Sequence, residues 1–442
     1  MLDLHIPKFV GFILHRLKAA GHEAYIVGGA VRDACLKRSI TDWDVATSAT
    51  SGKIREIFRD VRQFALKHET VTLVNSGRHF EVTPFRENGR SLTDDLSYRD
   101  FTIDAMAYDP KNGAIIDPFG GKTDLARRLI RAVEDPAVRF HEDPLRLMRS
   151  VRLATELDFR IEDTTLKSVT RMAHLLPSMA AERIREELMK VLESRKPSRG
   201  FNLMVRTGLI RHVIPELMEG YRRSQNSYHR HTIFKHIMET VDNVDPAPHL
   251  RLTALLHDIA KPRVRKKIDG EWRFHGHEEA SEQLAREIMS RLRFGRRITD
   301  RVANLIRHHM IGYSHEWSDG AVRRLIRRVG ADHVMDLILF RRADLMAHGR
   351  GPGALETLQE LEARVKTQLE SPPGVFSTRD LAIDGHAVMK YLGLSPGPEV
   401  GRVLRELMEA VTDRPGLNTK EGLEALLGQW MRQKHHEKTY SP

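Results

Sequence analysis

Apolar positions in the first quarter of the chain change period several times. Ile6, Phe9, Val10, Ile13, Leu14 and Leu17 fall on one stripe at helical spacing, closed by Gly21. This predicts an amphipathic helix packed on a domain. His15 and Arg16 interrupt what would otherwise pass for a signal-peptide run. Ala24 to Val27 is a short apolar run ending at Gly28-Gly29, behind which Ala30 to Leu36 can turn helical. Asp42 to Val45 reads as a second strand, and Thr50 or Ser51 can cap a helix through Ile54 and Phe58. Thr70 to Val74 and His79 to Phe85 read as two further strands, joined by a hairpin turn at Asn75-Ser76-Gly77-Arg78. The expected head is a small mixed sheet with helices.

From about Pro144 the pattern is helical, with no strand expected until Glu271 to Phe274. Leu145, Met148, Val151 and Leu153 begin one helix, and Ile184, Leu188 and Val191 mark another. Pro197, Pro215, Pro246 with Pro248, and Gly351-Pro352-Gly353 are natural breaks. The fold class expected is an α+β head followed by an all-α body, with divisions at 1–135, 136–225, 226–350 and 351–442.

Length and charge narrow the picture. A chain of 442 residues is long for one core. With 40% hydrophobic and 30% charged residues, disorder is not the default. The +11 excess is spread along the chain, which suits a body lying along a polyanion such as RNA, although charge alone leaves a basic enzyme without that partner open. Cys35 stands alone, so an intramolecular disulfide and thiolate metal clusters are excluded and a reducing cytoplasm fits. No stretch is apolar enough to span a membrane.

Chemistry concentrates in two places. In the head, Asp42-Trp43-Asp44 sets two carboxylates at i and i+2, on one face of a strand, where both reach one pair of cations. Phosphoryl transfer from a nucleoside triphosphate uses such a clamp, one Mg²⁺ activating the attacking hydroxyl and the other neutralising the pyrophosphate. Taken alone the pattern is common. Gly28-Gly29, between a strand and a helix start, adds backbone N–H groups for a triphosphate, with Arg32 and Asp33 following.

GGAVRD followed by DWD resembles the head signature of tRNA nucleotidyltransferases and bacterial poly(A) polymerases, in the DNA polymerase beta superfamily. The resemblance continues through YRDFTIDAMAYD (98–109), DPFGGKTDL (117–125) and EDPLRLMRSVRLATELDF (142–159), and covers the chain almost end to end. It implies Asp42 and Asp44 as catalytic metal ligands for Mg²⁺. It implies triphosphate contacts from Gly28, Gly29 and Arg32, and phosphate and ribose contacts from Arg99 and Asp100. CTP, ATP and tRNA are the partners implied; oligomeric state is open. Glu81 is a candidate further acid near the metals, or a solvated strand residue.

Asp143 and Arg146 lie three apart at an expected helix start, so they share a face. A carboxylate and a guanidinium together can read the Watson–Crick edge of cytosine or adenine; an acidic cap with a local salt bridge is the alternative. The resemblance implies that they act as an amino-acid template, with Glu142 orienting the arginine. Tyr98 and Asp104 depart from the family pattern, which usually has arginine and asparagine there. Only twelve residues, 87–98, separate Arg86 from Arg99, where full CCA-adding relatives have a longer loop. The shortened segment resembles the CC-adding subtype.

In the body, His236, His257-Asp258, His277, His308-His309 and Asp344 form an ordered set suited to a mono- or dinuclear metal site. LLHDIAKP, HGHEEAS and IRHHM resemble the HD phosphohydrolases, implying metal ligation by His236, His257, Asp258, His277, His308 and Asp344, with Mg²⁺, Mn²⁺, Ni²⁺ or Fe. His229, His231 and His275 are expected on the surface or against RNA. Arg183, Arg185, Lys190, Arg195 and Lys196 are expected phosphate contacts or solvated helix faces. Three readings follow: a tRNA nucleotidyltransferase of CC-adding or full CCA-adding type, a poly(A) polymerase, and an RNA-end phosphohydrolase with a nucleotide-binding head.

Overall fold

The computed structural model describes residues 4–65, 70–86, 91–225, 231–348, 352–370 and 377–439. The chain separates into two compact units, Met1–Pro215 and Glu216–Pro442. The expected boundary at 225 lies past this division, and those at 135 and 350 fall inside the units.

The first unit carries a seven-stranded sheet in the order β3-β4-β5-β2-β1-β6-β7. The strands are β1 (Ala24–Val27), β2 (Asp44–Thr47), β3 (Gln63–Ala65), β4 (Val71–Asn75), β5 (Arg78–Pro84), β6 (Ala107–Asp109) and β7 (Ala114–Ile116). Within this sheet, among the described residues, β2 and β5 run parallel and the other neighbours pair antiparallel. The helix Lys8–Ala19 turns Val10, Ile13, Leu14 and Leu17 inward, the stripe the sequence predicts. Thr50 caps Ser51–Ile57 by accepting from the Lys53 N–H. Ser76 and Gly77 both have positive φ, so β4 and β5 meet through the two-residue turn that matches strand twist.

Differences from the expected pattern have simple causes. β2 begins at Asp44, not Asp42, because Asp44 is the first residue paired to both neighbours. β3, β6 and β7 have three residues each, too few for a period to show. β8 (Leu129–Ile130) and β9 (Arg160–Ile161) form a two-residue parallel pair, of which β9 lies inside the segment expected to be strand-free.

Beyond this the unit is helical, including Leu145–Glu156 and Ala181–Glu193, with Val151, Leu188 and Val191 inaccessible to solvent. The second unit packs Ile233–Asn243, Pro248–Leu256, His277–Arg291, Arg296–Arg307 and Val334–His348 around one core. Within it β10 (Lys266–Ile268) and β11 (Glu271–Arg273) form a hairpin. Leu407, Leu423 and Leu427 anchor a further apolar cluster near the C-terminal end. Among the described residues no helix is long and apolar enough to cross a membrane.

Candidate functional site

The head site lies where three strands meet. In register, Val27 of β1 stands opposite Asp44 of β2, and Asp44 stands opposite Glu81 of β5. Paired residues point to the same face, so Glu81, which is exposed, lies beside Asp44. Trp43 is buried while Asp42 is exposed, so the alternation that puts both aspartates on one side survives although Asp42 precedes the strand. Both line a cleft of about 960 Å³, with Gly28, Gly29, Arg32, Arg99 and Asp100. Burial, followed by Glu81, Asp42 and Asp104, raises the Asp44 carboxyl to about 6, and Arg99 opposes them. A half-buried carboxylate crowded by acids is a donor set that fits divalent cations.

Gly28 adopts φ +72° directly after β1. A Cβ there would stand 2.7 Å from Arg99 Nη1 and 3.6 Å from Asp44 Oδ2. The Gly28 N–H donates to the Met106 carbonyl at 3.2 Å, so it is not the free donor the sequence suggests; Gly28 serves by its shape. Arg32 is held between Asp33 at 2.9 Å and Asp104 at 2.7 Å. The departure at Asp104 therefore has a partner inside the site. Asp100 is gripped by Arg149 and Arg146, each at 2.6 Å, which hold its carboxyl below the usual range against the effect of burial.

Asp143 and Arg146 do not share a helix face. Pro144 interposes a break: Asp143 is the extended end of the helix Pro136–Glu142, and the next helix begins at Leu145. Asp143 accepts from the Leu145 N–H at 3.1 Å and meets Arg183 at 2.9 Å. Arg146 is buried. It donates to Glu142 at 2.8 Å, the Arg139 carbonyl at 3.0 Å and the Tyr98 carbonyl at 2.9 Å, and its Nε makes an ionic but poorly aligned contact with Asp100. The cleft is lined instead by Arg149 and Arg152, one and two turns further along the same helix, and both meet the buried Glu187. Their spacing of three from Arg146 was the available signal. Lys190 and Arg195 line the cleft as well, whereas Lys196 is exposed outside it.

The second site is an imidazole–carboxylate cluster. His236, His257 and Asp344 offer donor atoms within 4.8 Å of one another, as do Asp258, His277 and His309. His257 and His236 approach one oxygen of Asp258 at 3.2 and 3.4 Å, and His277 approaches the other at 3.5 Å, so Asp258 stands between the two groups. The Nδ1 atoms of His257, His277 and His309 lie 2.9, 2.8 and 2.7 Å from backbone carbonyls. Such bonds leave Nε2 facing inward, the orientation a metal ligand needs. Both Asp258 oxygens and Asp344 Oδ1 are buried without an aligned hydrogen bond, although Lys261 stands 2.6 Å from Asp258. Burial opposes protonation of His257, but Asp258 and Asp344 raise it to about 9, so positive charge is favoured here.

His309, not His308, joins this cluster. Adjacent residues at a helix end point about 100° apart, and His308 lies near Arg328, Arg307 and Glu282, where burial and the two arginines lower its pKa. His348 stands 3.4 Å from Asp344 and was missed by the sequence reading. His275 is exposed at the mouth, and His231 pairs with Glu239 at 2.9 Å. His229 lies outside the described residues.

Residues 24–131 match the family described as the poly A polymerase head domain, 158–220 a probable RNA and SrmB-binding site of polymerase A, and 232–362 the HD domain. An A-adding tRNA nucleotidyltransferase from Deinococcus radiodurans is 33% identical over 88% of this chain and 91% of its own. A CC-adding tRNA nucleotidyltransferase from Thermus thermophilus is 34% identical over 92% of this chain and 94% of its own. The chain belongs to the tRNA nucleotidyltransferase family. The Bacillus stearothermophilus CCA-adding enzyme, solved in complex with CTP, matches this nucleotidyltransferase with TM-score 0.73 and 28% identity, over 96% of this chain and 98% of that one. Relatives of A-adding, CC-adding and CCA-adding type lie at similar identity, so likeness does not separate the subtypes. The nucleotidyltransferase head and the HD domain are both kinds that typically use divalent metals.

Proposed function

We propose that this nucleotidyltransferase takes CTP, adds two C residues to the 3′ end of a tRNA lacking it, and stops. The observation that carries the subtype is the anchoring of the connector from β5 to Arg99. Within 87–98, Leu92–Ser97 is a helix capped by Ser91, and Leu92 and Leu96 are buried in an apolar cluster with Phe85 and Val27. Residues 87–90 lie outside the described residues. A switch from CTP to ATP needs a movable element near the site, and an anchored helix supplies little slack.

In this reading Asp42 and Asp44, with Glu81 beside them, hold Mg²⁺, which would activate the 3′ hydroxyl and neutralise the pyrophosphate. Gly28 leaves room for Arg99 beside the triphosphate, and Arg32 and Arg149 neutralise it. Base reading by Asp143 and Arg146 requires Arg146 to exchange internal partners for the base edge when nucleotide binds. Lys190, Arg195 and Lys196 hold tRNA phosphates. A tRNA transcript lacking its 3′ end, incubated with labelled CTP and ATP, tests the subtype on a sequencing gel. Extension should end after two C residues; efficient addition of a terminal A would restore the full CCA-adding reading.

A second reading is favoured by the buried carboxylates around Asp258. The cluster holds one or two divalent ions, Mg²⁺, Mn²⁺ or Ni²⁺, and hydrolyses phosphate esters at RNA ends.

A further inference from the structure

Beside the imidazole–carboxylate cluster stands a hairpin that neither reading uses. In β10 and β11, Lys266 pairs with Arg273, Lys267 with Trp272 and Ile268 with Glu271. Strand side chains alternate, so Arg265, Lys267 and Trp272 share one face. There the Arg265 guanidinium lies 3.5 Å from the centre of the Trp272 ring, with the Lys267 ammonium at 6.0 Å. Burial and nearby Arg223 push the Arg265 pKa below its ordinary range, so cations are crowded at this point. On the other face Lys266 stands directly opposite Arg273. Like charges in that relation weaken a strand pair, and a two-stranded hairpin is marginal in water to begin with. Glu271 is the acid nearest to relieve it, 3.7 Å from Arg273. A bound polyanion would convert this repulsion into attraction, and a cation-flanked aromatic is the platform on which nucleic-acid bases stack.

The hairpin also leads to the cluster. After Arg273 come Phe274, buried with Lys261 5.6 Å above its ring, exposed His275, and Gly276, all lining the same cavity of about 310 Å³ as His277 and Asp258. Four residues of chain span at most about 14 Å, so a strand held on the hairpin has its end close to the cluster.

We propose that this hairpin docks the 3′-terminal nucleotides of a single-stranded RNA, a base stacking on the Arg265–Trp272 pair and phosphates against Lys266 and Arg273, and guides the strand end to the cluster. The inference rests on the phosphohydrolase reading only for what happens to that end. A short single-stranded RNA with a 3′-terminal 4-thiouridine is irradiated with the full chain, and crosslinked peptides are mapped. Crosslinks should fall within 265–277. They should weaken about tenfold in Lys266→Glu with Arg273→Glu, which removes two phosphate contacts, and also in Trp272→Leu. Crosslinks confined to the aspartate cleft with none in 265–277, equal yield at 265–277 in the double variant, or displacement by polyglutamate in preference to unlabelled RNA would overturn the proposal. Thermal melts of both variants separate lost docking from lost folding. Hydrolysis of a mononucleoside 2′,3′-cyclic phosphate with Ni²⁺ is read separately. Crosslinking without hydrolysis leaves the docking surface standing and removes the phosphohydrolase reading; hydrolysis without hairpin crosslinks does the reverse.

Discussion

At the scale of single residues, Asp44 and Arg146 are opposites. Asp44 is crowded by Glu81, Asp42 and Asp104 and carries a raised pKa. Removing its charge relieves repulsion, so Asp44→Asn should melt no lower than wild type while nucleotide addition is lost; near-wild-type incorporation would remove Asp44 from the metal site. Arg146 joins Asp100, Glu142 and the carbonyls of Tyr98 and Arg139. Arg146→Ala should therefore cost about 3 kcal/mol or more, as deleting one partner of a buried ion network does. Chemical denaturation would show this, and an unchanged midpoint would mean that the guanidinium is free for a base. The sequence placed Asp42 and Asp44 together because i, i+2 spacing carries its own geometry. It could not place Arg146, because whether Pro144 breaks or starts a helix depends on what packs around it. His308 and His309 failed to separate for a similar reason: either can face inward until the end of Arg296–Arg307 is fixed.

At the scale of elements, the corner between β1 and the helix Gly29–Cys35 has the narrowest tolerance. Gly28→Ala combines φ +72°, ψ −136° with a Cβ 2.7 Å from Arg99 Nη1. Backbone in such a region costs a non-glycine residue about 1–3 kcal/mol. We expect a comparable loss in stability and, because Arg99 must move, a raised KM for CTP; calorimetry and steady-state kinetics check the two parts separately. An unchanged KM would detach Arg99 from the triphosphate. Long periodic segments such as Lys8–Ala19 and the β4–β5 hairpin were legible because one face is buried and the turn chemistry is local. β3, β6, β7, β8 and β9 were not, since two or three residues carry no period, and β6, β8 and β9 also pair with neighbours distant in sequence.

At the scale of the whole chain, the two proposed chemistries fall in different compact units, the aspartate cleft within Met1–Pro215 and the imidazole–carboxylate cluster within Glu216–Pro442. Their donor sets also differ: hard carboxylate oxygens in the head, and imidazole nitrogens mixed with carboxylates in the second unit, which prefer transition metals. Substituting a ligand in one unit should therefore leave the other working. His257→Ala is expected to keep CTP incorporation within about twofold of wild type, as for sites with no shared partners, while any Ni²⁺-dependent hydrolysis of a 2′,3′-cyclic phosphate disappears. A readout without turnover runs beside it. Metal that binds the folded chain raises its unfolding free energy by about 2.7 kcal/mol at a hundredfold excess over Kd, so Ni²⁺ should raise the melting temperature of wild type and not of His257→Ala. Removing His257 takes away the imidazole whose positive charge Asp258 and Asp344 favour, leaving two buried carboxylates closer to unpaired. The variant should therefore melt below wild type in chelator. If it loses CTP incorporation while still folded, the second unit takes part in the transferase reaction and the division of labour argued from the donor sets fails.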